Sequence, residues 1–367
     1  MLIVIFFSLL CLFLTYLETS KKIPNGMFWG FLGITFLYCI HYDFGTDYMQ
    51  YYQDYLLVAT SSYSIDDVFV LDNWRNGEFG WGLLQWCCVQ VAGRDGFFLL
   101  VVINSVIENI IIYRFIRKYA NRNCWVFSVF IYLFTSTFYL LGFSMMRQWL
   151  AMCIILYAYD FILRKKIIHS LLLIYIASTI HHTASILLPV AFVSYLPMKF
   201  AKYYGLFFLG LFMLLLLEGD FLNDTIGLMM LQSDTIEDYV NNYENFDANK
   251  TFGIGFLVNL IPFALSLLYL VKNNDDSKKT LIFLSCIGTM LIPFSQSLAM
   301  VKRMSLYFTL FSISAVPIVY SAITKKEIRM LLVVLFLFMQ IVGYWGFLND
   351  PSYQPHYLVF KTIFSQL

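Results

Sequence analysis

Residues 146–182 read MRQWLAMCIILYAYDFILRKKIIHSLLLIYIASTIHH. An apolar run over 148–163 stops at the basic triplet Arg164-Lys165-Lys166, and a second run follows over 167–181. Helices of about 20 apolar residues cross a hydrocarbon core roughly 30 Å thick. Such runs, separated by short charged linkers, predict a helical protein that crosses a membrane repeatedly. A transmembrane barrel would instead show short alternating segments.

The same pattern fills the chain. Runs lie at about 1–17, 26–41, 79–92, 97–116, 124–143, 183–196, 203–217, 252–271, 281–300, 304–323 and 330–347, besides the two quoted. Of the 367 residues 60% are hydrophobic and 13% charged, about half the charge of a soluble domain. The net charge of +1 says nothing of partners, and no basic stripe points to a nucleic-acid partner. The seven cysteines show no CxxC or Cys/His spacing, so neither disulfides nor a metal site is expected. Met1 to Leu17 has no basic start and no small-residue cleavage site, and reads as a retained first span.

Charge orients these runs. Tyr42 to Glu78 carries seven acids against Arg75 alone, and Glu218 to Lys250 carries eight against Lys250 alone. The short linkers Lys21-Lys22, Arg117-Lys118, Arg164 to Lys166, Lys199 to Lys202, Lys272 to Lys279 and Lys325-Lys326 are basic. The excess of Lys and Arg in cytoplasmic loops puts the basic linkers inside and the two acidic loops outside. This parity requires 79–92 to dip in or lie flat, and 167–196 to cross as two short segments turning near His181-His182. The expected architecture is an all-α polytopic membrane protein, a single integral domain over 1–367. It has about twelve transmembrane helices, short or re-entrant segments near 79–92 and 167–196, and outer loops at about 42–78 and 218–250. Both chain ends then lie outside.

Arg147, His181, His182 and Lys302-Arg303 fall at the outer face on this topology. A charge at the edge of a bilayer costs a few kcal/mol and commonly lines a polar cavity. Arg147, followed by Gln148, is either a snorkelling anchor or an anion ligand whose planar fork suits phosphate oxygens. Its outer position breaks the positive-inside bias, which favours the second reading. Arg303 breaks it in the same direction, with Tyr307 four residues on along one helix face. As adjacent residues His181 and His182 point to different sides of a helix and cannot share a metal in the usual i, i+4 manner. A buried histidine at a helix break is one reading; a general base or phosphate ligand near pH 7 is the other. In the first loop Asp47 precedes Tyr48, Tyr51, Tyr52 and Tyr55, and Glu78 precedes Phe79-Gly80-Trp81. Tyr and Trp make a membrane belt, and acidic aromatic surfaces also suit sugars. Glu108 inside 97–116 is expected to be hydrogen-bonded to an Asn on a neighbouring helix, and Asp160 to pair with Arg164.

Taken in order, these segments resemble the EpsG/Wzy-type polysaccharide polymerases of bacterial cell envelopes. His41-Tyr42-Asp43-Phe44-Gly45-Thr46-Asp47-Tyr48 with Tyr51 resembles the family's Arg-x-x-x-Gly-Thr-Asp-Tyr-x-x-Tyr loop, with histidine in place of the arginine. Glu78-Phe79-Gly80-Trp81 is similar to its Glu-Pro-Gly-aromatic element, and Met146-Arg147-Gln148-Trp149-Leu150-Ala151 to its Arg-Gln-x-x-Ala helix start. His181-His182-Thr183-Ala184-Ser185 through Pro189 resembles its His-x-Ser-Ala segment, with Thr183 for the serine. Arg303 to Tyr307 and Pro355-His356-Tyr357 are similar to its last two elements.

The resemblance implies a GT-C-like glycosyltransferase at the outer face of the bacterial plasma (inner) membrane. It would polymerise polyprenyl-diphosphate-linked oligosaccharide into capsule, O-antigen or exopolysaccharide, without metal or other cofactor. Its expected partners are that lipid-linked substrate, membrane lipids, and a chain-length regulator and flippase of the same pathway. Arg147 and Arg303 would neutralise the departing diphosphate, and His181 or Asp47 would orient or deprotonate the attacking hydroxyl. Gln148, Tyr307, Tyr48, Tyr51, Glu78 and Arg75 complete the expected binding set. A flippase for the same lipid and a membrane O-acyltransferase are the competing activities. The first would show inverted-repeat halves, and the second would work from the cytoplasmic side.

Overall fold

The computed structural model describes residues 1–61, 63–74, 77–217, 254–273, 275–291 and 299–365. The expected outer loop at 218–250 and Arg75 lie outside them. The chain divides into two compact units, Met1–Tyr195 with Glu327–Leu367, and Leu196–Lys326.

In the first unit α1 (Leu2–Thr19) packs along α2 (Gly26–Ile40). A Cβ on Gly30 would sit 2.8 Å from the Cys11 backbone, so the glycine lets the two helices approach. Glu18 holds this turn: its carboxylate accepts from the Met27 N–H at 2.9 Å, an unpaired donor at the α2 N-terminus, and pairs with Arg117. Arg122 donates to the Glu18 carbonyl at 2.6 Å, and Arg117 lies 4.4 Å over the Trp125 ring. Asp160 binds Lys118, the Tyr119 hydroxyl at 2.9 Å and, as expected, Arg164 at 3.0 Å. Two of the basic linkers, 117–122 and 164–166, thus neutralise acids at helix ends.

The next elements are α3 (Tyr48–Thr60), α4 (Ile65–Val68), α5 (Phe79–Ala92) and α6 (Gly96–Tyr119). Helix α5 folds back on α6 at Gly93–Asp95; a Cβ on Gly96 would meet the Cys88 carbonyl at 2.3 Å. The expected run 124–143 is two pieces, α7 (Trp125–Phe134) and α8 (Tyr139–Gly142). The break falls at Thr135-Ser136-Thr137, whose hydroxyls compete for backbone hydrogen bonds; Thr135 donates to Gln340 at 3.1 Å. Helices α9 (Met146–Leu163) and α10 (Ile167–Ile180) follow, then a 3-10 helix over His182–Tyr195 that contains Pro189. The apolar segment α16 (Lys326–Asn349) returns to this unit.

At the end of this unit where α2 gives way to the first loop, β1 (His41–Tyr42) pairs antiparallel with β2 (Lys361–Thr362). The Met1 amine donates to the Leu358 carbonyl at 2.9 Å, and Gly45 N–H to His356 at 3.1 Å. The two ends of the chain therefore meet beside the first loop. Inside the bundle Glu108 is buried, but the expected asparagine bond is not among the described contacts; the interhelical bond of that stripe runs from Tyr132 to Asn109 at 2.9 Å.

The second unit holds α11 (Ala201–Leu217), α12 (Ile254–Lys272), α13 (Asp276–Met290), α14 (Ala299–Thr309) and α15 (Ser312–Ser321). Asp275 caps α13, accepting from the Lys278 N–H at 3.2 Å. The run 304–323 bends by 47° between α14 and α15. Among the described residues four helices are long and apolar enough to cross a membrane, or six if each bent pair counts as one span. The protein is thus mostly helical, with four to six apolar candidate spans among the described residues; α2 and α10, at 15 and 14 residues, are shorter than a usual span.

Candidate active site

Glu78 stands at the N-cap of α5, where the chain leaves the first loop. That loop is braced by a capping box at Ser64 and Asp67 and by the Trp74 indole, which donates to Val68 at 2.6 Å. The next turn explains the glycine of Glu78-Phe79-Gly80-Trp81. A Cβ on Gly80 would lie 2.2 Å from the Thr179 hydroxyl and 3.0 Å from its backbone. Only glycine lets the start of α5 touch the end of α10, and that contact carries Glu78 to the histidine pair.

His181 ends α10 with extended backbone, φ −145° and ψ 111°, and His182 begins the 3-10 helix. The two histidines therefore do not share a helix, and both rings turn to the same carboxylate oxygen. His181 Nδ1 lies 2.9 Å from Glu78 Oε1, and His182 Nδ1 3.1 Å from it. The His182 backbone N–H donates to that oxygen at 3.1 Å, an unpaired donor of the new helix meeting an anion. The premise used to set aside a shared metal fails at this break: the donors of Glu78, His181 and His182 fall within 4.8 Å of one another. No proline or glycine marks the break itself; Pro189, which cannot continue a regular helix, is the one sequence signal nearby.

Arg147, in the first turn of α9, donates to Glu78 Oε2 at 2.6 Å, and its guanidinium lies 5.3 Å over the Tyr51 ring from α3. Glu78 is 2% exposed, and the side chains of Arg147 and His181 14% and 7%. A buried carboxylate is stable here only because the pairing is complete. Burial pushes its pKa up, but the His181 and His182 hydrogen bonds and the Arg147 charge hold it well below the usual carboxylate range. For His181 the balance reverses: burial outweighs the pull of Glu78 and lowers its pKa. At neutral pH the site holds an anion, a cation and a neutral imidazole.

Four expected site residues thus meet: Tyr51, Glu78, Arg147 and His181. His182 joins them, although it was not in the expected set. Tyr48 is buried in the aromatic core and donates to the His41 carbonyl at 3.1 Å. Asp47 starts α3 half-buried, its N–H donating to Ser144 Oγ at 3.1 Å. Gln148 is buried in α9, while Arg303 and Tyr307 lie on α14 of the second unit. Where the resembled loop has arginine, His41 is buried with its pKa pushed down to about 4, its Nδ1 2.5 Å from the Tyr38 carbonyl. It carries no charge for an anion at neutral pH.

The EpsG family model matches residues 27–357. The chain belongs to the EpsG family. This is the family of Wzy-type polysaccharide polymerases. The matched span contains every residue of the Glu78 cluster and every motif from Gly45-Thr46-Asp47-Tyr48 to Pro355-His356-Tyr357. No curated protein and no solved structure matches the chain.

The geometry of this EpsG-family site makes Gly80 a sensitive position. Gly80→Ala is expected to push α5 from α10 and loosen the Glu78–His181 contact. Polymer made by a deletion strain carrying the variant should fall at least tenfold at equal protein level in the membrane. Wild-type polymer length and amount would contradict the close approach.

Proposed function

We propose that the chain joins polyprenyl-diphosphate-linked oligosaccharide repeats into a cell-surface polysaccharide at the extracytoplasmic face of the plasma membrane. The observation that carries this reading is the buried cluster Glu78–Arg147–His181, within a chain of the EpsG family. A hydroxyl of the acceptor sugar loses its proton to a base, His181 or Asp47. Its oxygen bonds to the anomeric carbon of the donor, whose bond to the diphosphate oxygen breaks. The lipid diphosphate leaves with the electron pair.

Arg147 is suited to meet that developing charge, because a preorganised cation in a site of low dielectric stabilises it without solvent rearrangement. Acid and tyrosine side chains of 42–78 are suited to hold sugar rings. With a guanidinium group supplying positive charge, activity is expected to survive chelation. Loss of polymerisation in EDTA, restored by one divalent metal, would contradict this.

The deciding experiment is deletion of the gene, with mass spectrometry of lipid-linked saccharides and a gel of surface polysaccharide. Single repeats on the outer leaflet without long polymer are expected. Repeats trapped on the inner leaflet would make the protein a flippase, and full-length polymer lacking an acyl group an acyltransferase.

A further inference from the structure

Both oxygens of the Glu78 carboxylate are engaged. Three donors converge on Oε1, namely His181 Nδ1, His182 Nδ1 and the His182 N–H, and Arg147 donates to Oε2. An ionised carboxylate only accepts, so both imidazoles carry their proton on Nδ1. With its charge stabilised by these partners, Glu78 is a weak base toward substrate.

Two polar atoms around it are in the opposite condition. Among the described residues His181 Nε2 and Arg147 Nε are buried and meet no hydrogen-bond partner. Unpaired buried groups are rare and costly, and a native one calls for an explanation. One is an acceptor, the lone pair of a neutral imidazole; the other is a charged N–H donor. The ligand that satisfies both brings a hydroxyl and an anionic oxygen.

We propose that Glu78 is the positioning residue of this site, holding His181 in the Nδ1–H tautomer so that Nε2 accepts the proton of the attacking sugar hydroxyl. The assignment rests on the polymerase reading. As the oxygen bonds to the anomeric carbon and the diphosphate departs, the proton passes to Nε2. The resulting imidazolium is stabilised through Nδ1–H by the Glu78 charge, and later releases its proton to water. Tautomer selection by a hydrogen bond at the other ring nitrogen is a general property of histidine. His182 is less suited to the role, since its ring is 41% exposed and water competes for it. The groups facing His181 are Glu78 from α5, Arg147 from α9 and His182 from the 3-10 helix, with Tyr51 of α3 beneath Arg147. Burial and the Arg147 charge keep the ring neutral against the pull of Glu78.

The test uses the full chain in lipid nanodiscs. Nitrogen-15 histidine labelling reads the tautomer, the His181 signals being assigned by their loss in His181→Asn. Nε2 unprotonated and Nδ1 protonated are expected near pH 7.5 in the wild type. Glu78→Gln keeps the shape but cannot accept on both sides, so a mixed or reversed tautomer is expected. Turnover is read on the lipid-linked saccharide that accumulates in a deletion strain. Glu78→Gln should lower kcat about a hundredfold with KM changed only a few-fold. Without the carboxylate charge the imidazolium is less favoured, so the acid limb of the pH–rate profile should move to lower pH. A merely structural glutamate would move neither the tautomer nor that limb.

An Nε2–H tautomer in the wild type would overturn the proposal. So would tight stoichiometric zinc binding abolished by His181→Ala, since a metal would need the Nδ1 lone pair. An unmoved acid limb in Glu78→Gln, alongside a limb that shifts in Asp47→Asn, would hand the base to Asp47. A wild type that never lengthens the saccharide would overturn the polymerase reading, while the nitrogen shifts would still decide the tautomer.

Discussion

Arg147→Ala is expected to cut chain growth by about two to three orders of magnitude. A preorganised charge at a departing oxyanion stabilises the transition state by roughly 3–4 kcal/mol, and each 1.4 kcal/mol is about tenfold in rate. The substitution also strips Glu78 of its cation. Breaking a buried pair by removing one partner costs about 3–5 kcal/mol, so the variant should melt earlier as well as turn over slowly. The two effects separate in the double variant Arg147→Ala with Glu78→Gln. Removing the orphaned charge should recover most of the melting temperature and none of the activity. Arg147→Lys tests the fork: it keeps a charge for Glu78 but not the planar donors that match phosphate. Near-normal polymer from Arg147→Ala at normal protein level would take Arg147 out of the reaction.

His181→Ala is expected to be of similar size. A positioned general base contributes about a hundredfold to ten-thousandfold, and loss of the imidazole removes it entirely. Stability should change less than in Arg147→Ala, because Glu78 keeps Arg147, the His182 ring and the His182 N–H. His182→Ala provides the comparison. It leaves the His181 contact at 2.9 Å in place, and should lower kcat no more than about tenfold. If the two histidine variants lost equal activity, or His182→Ala lost more, the accessible ring would be the base instead. Turnover of both variants in nanodiscs, each normalised to folded protein, distinguishes the cases.

The helical membrane architecture was legible because hydrophobic run length and linker charge are local properties. The basic linkers do gather at helix ends, where Glu18 meets Arg117 and Arg122, and Asp160 meets Lys118 and Arg164. Helix breaks were harder to read. Thr135-Ser136-Thr137 interrupts a run that hydropathy reads as continuous, and His181 takes extended backbone with neither proline nor glycine beside it. That second break reversed the reading of the histidine pair, since adjacent residues diverge on a helix and converged here on one oxygen.

The sequence by itself determined which residues were out of place: Arg147, His181 and Glu78 each set a polar or charged group beside an apolar run, and composition alone makes that costly. What only the tertiary structure decided is that the three are one group. Glu78 and Arg147 are 69 residues apart, and Glu78 and His181 103. Hydropathy and charge bias act along a helix and across the membrane, and neither says which helix ends touch. That choice was made by a steric detail, the bare Cα of Gly80 against Thr179, and by burial, which leaves an isolated charge no stable position except beside its partners.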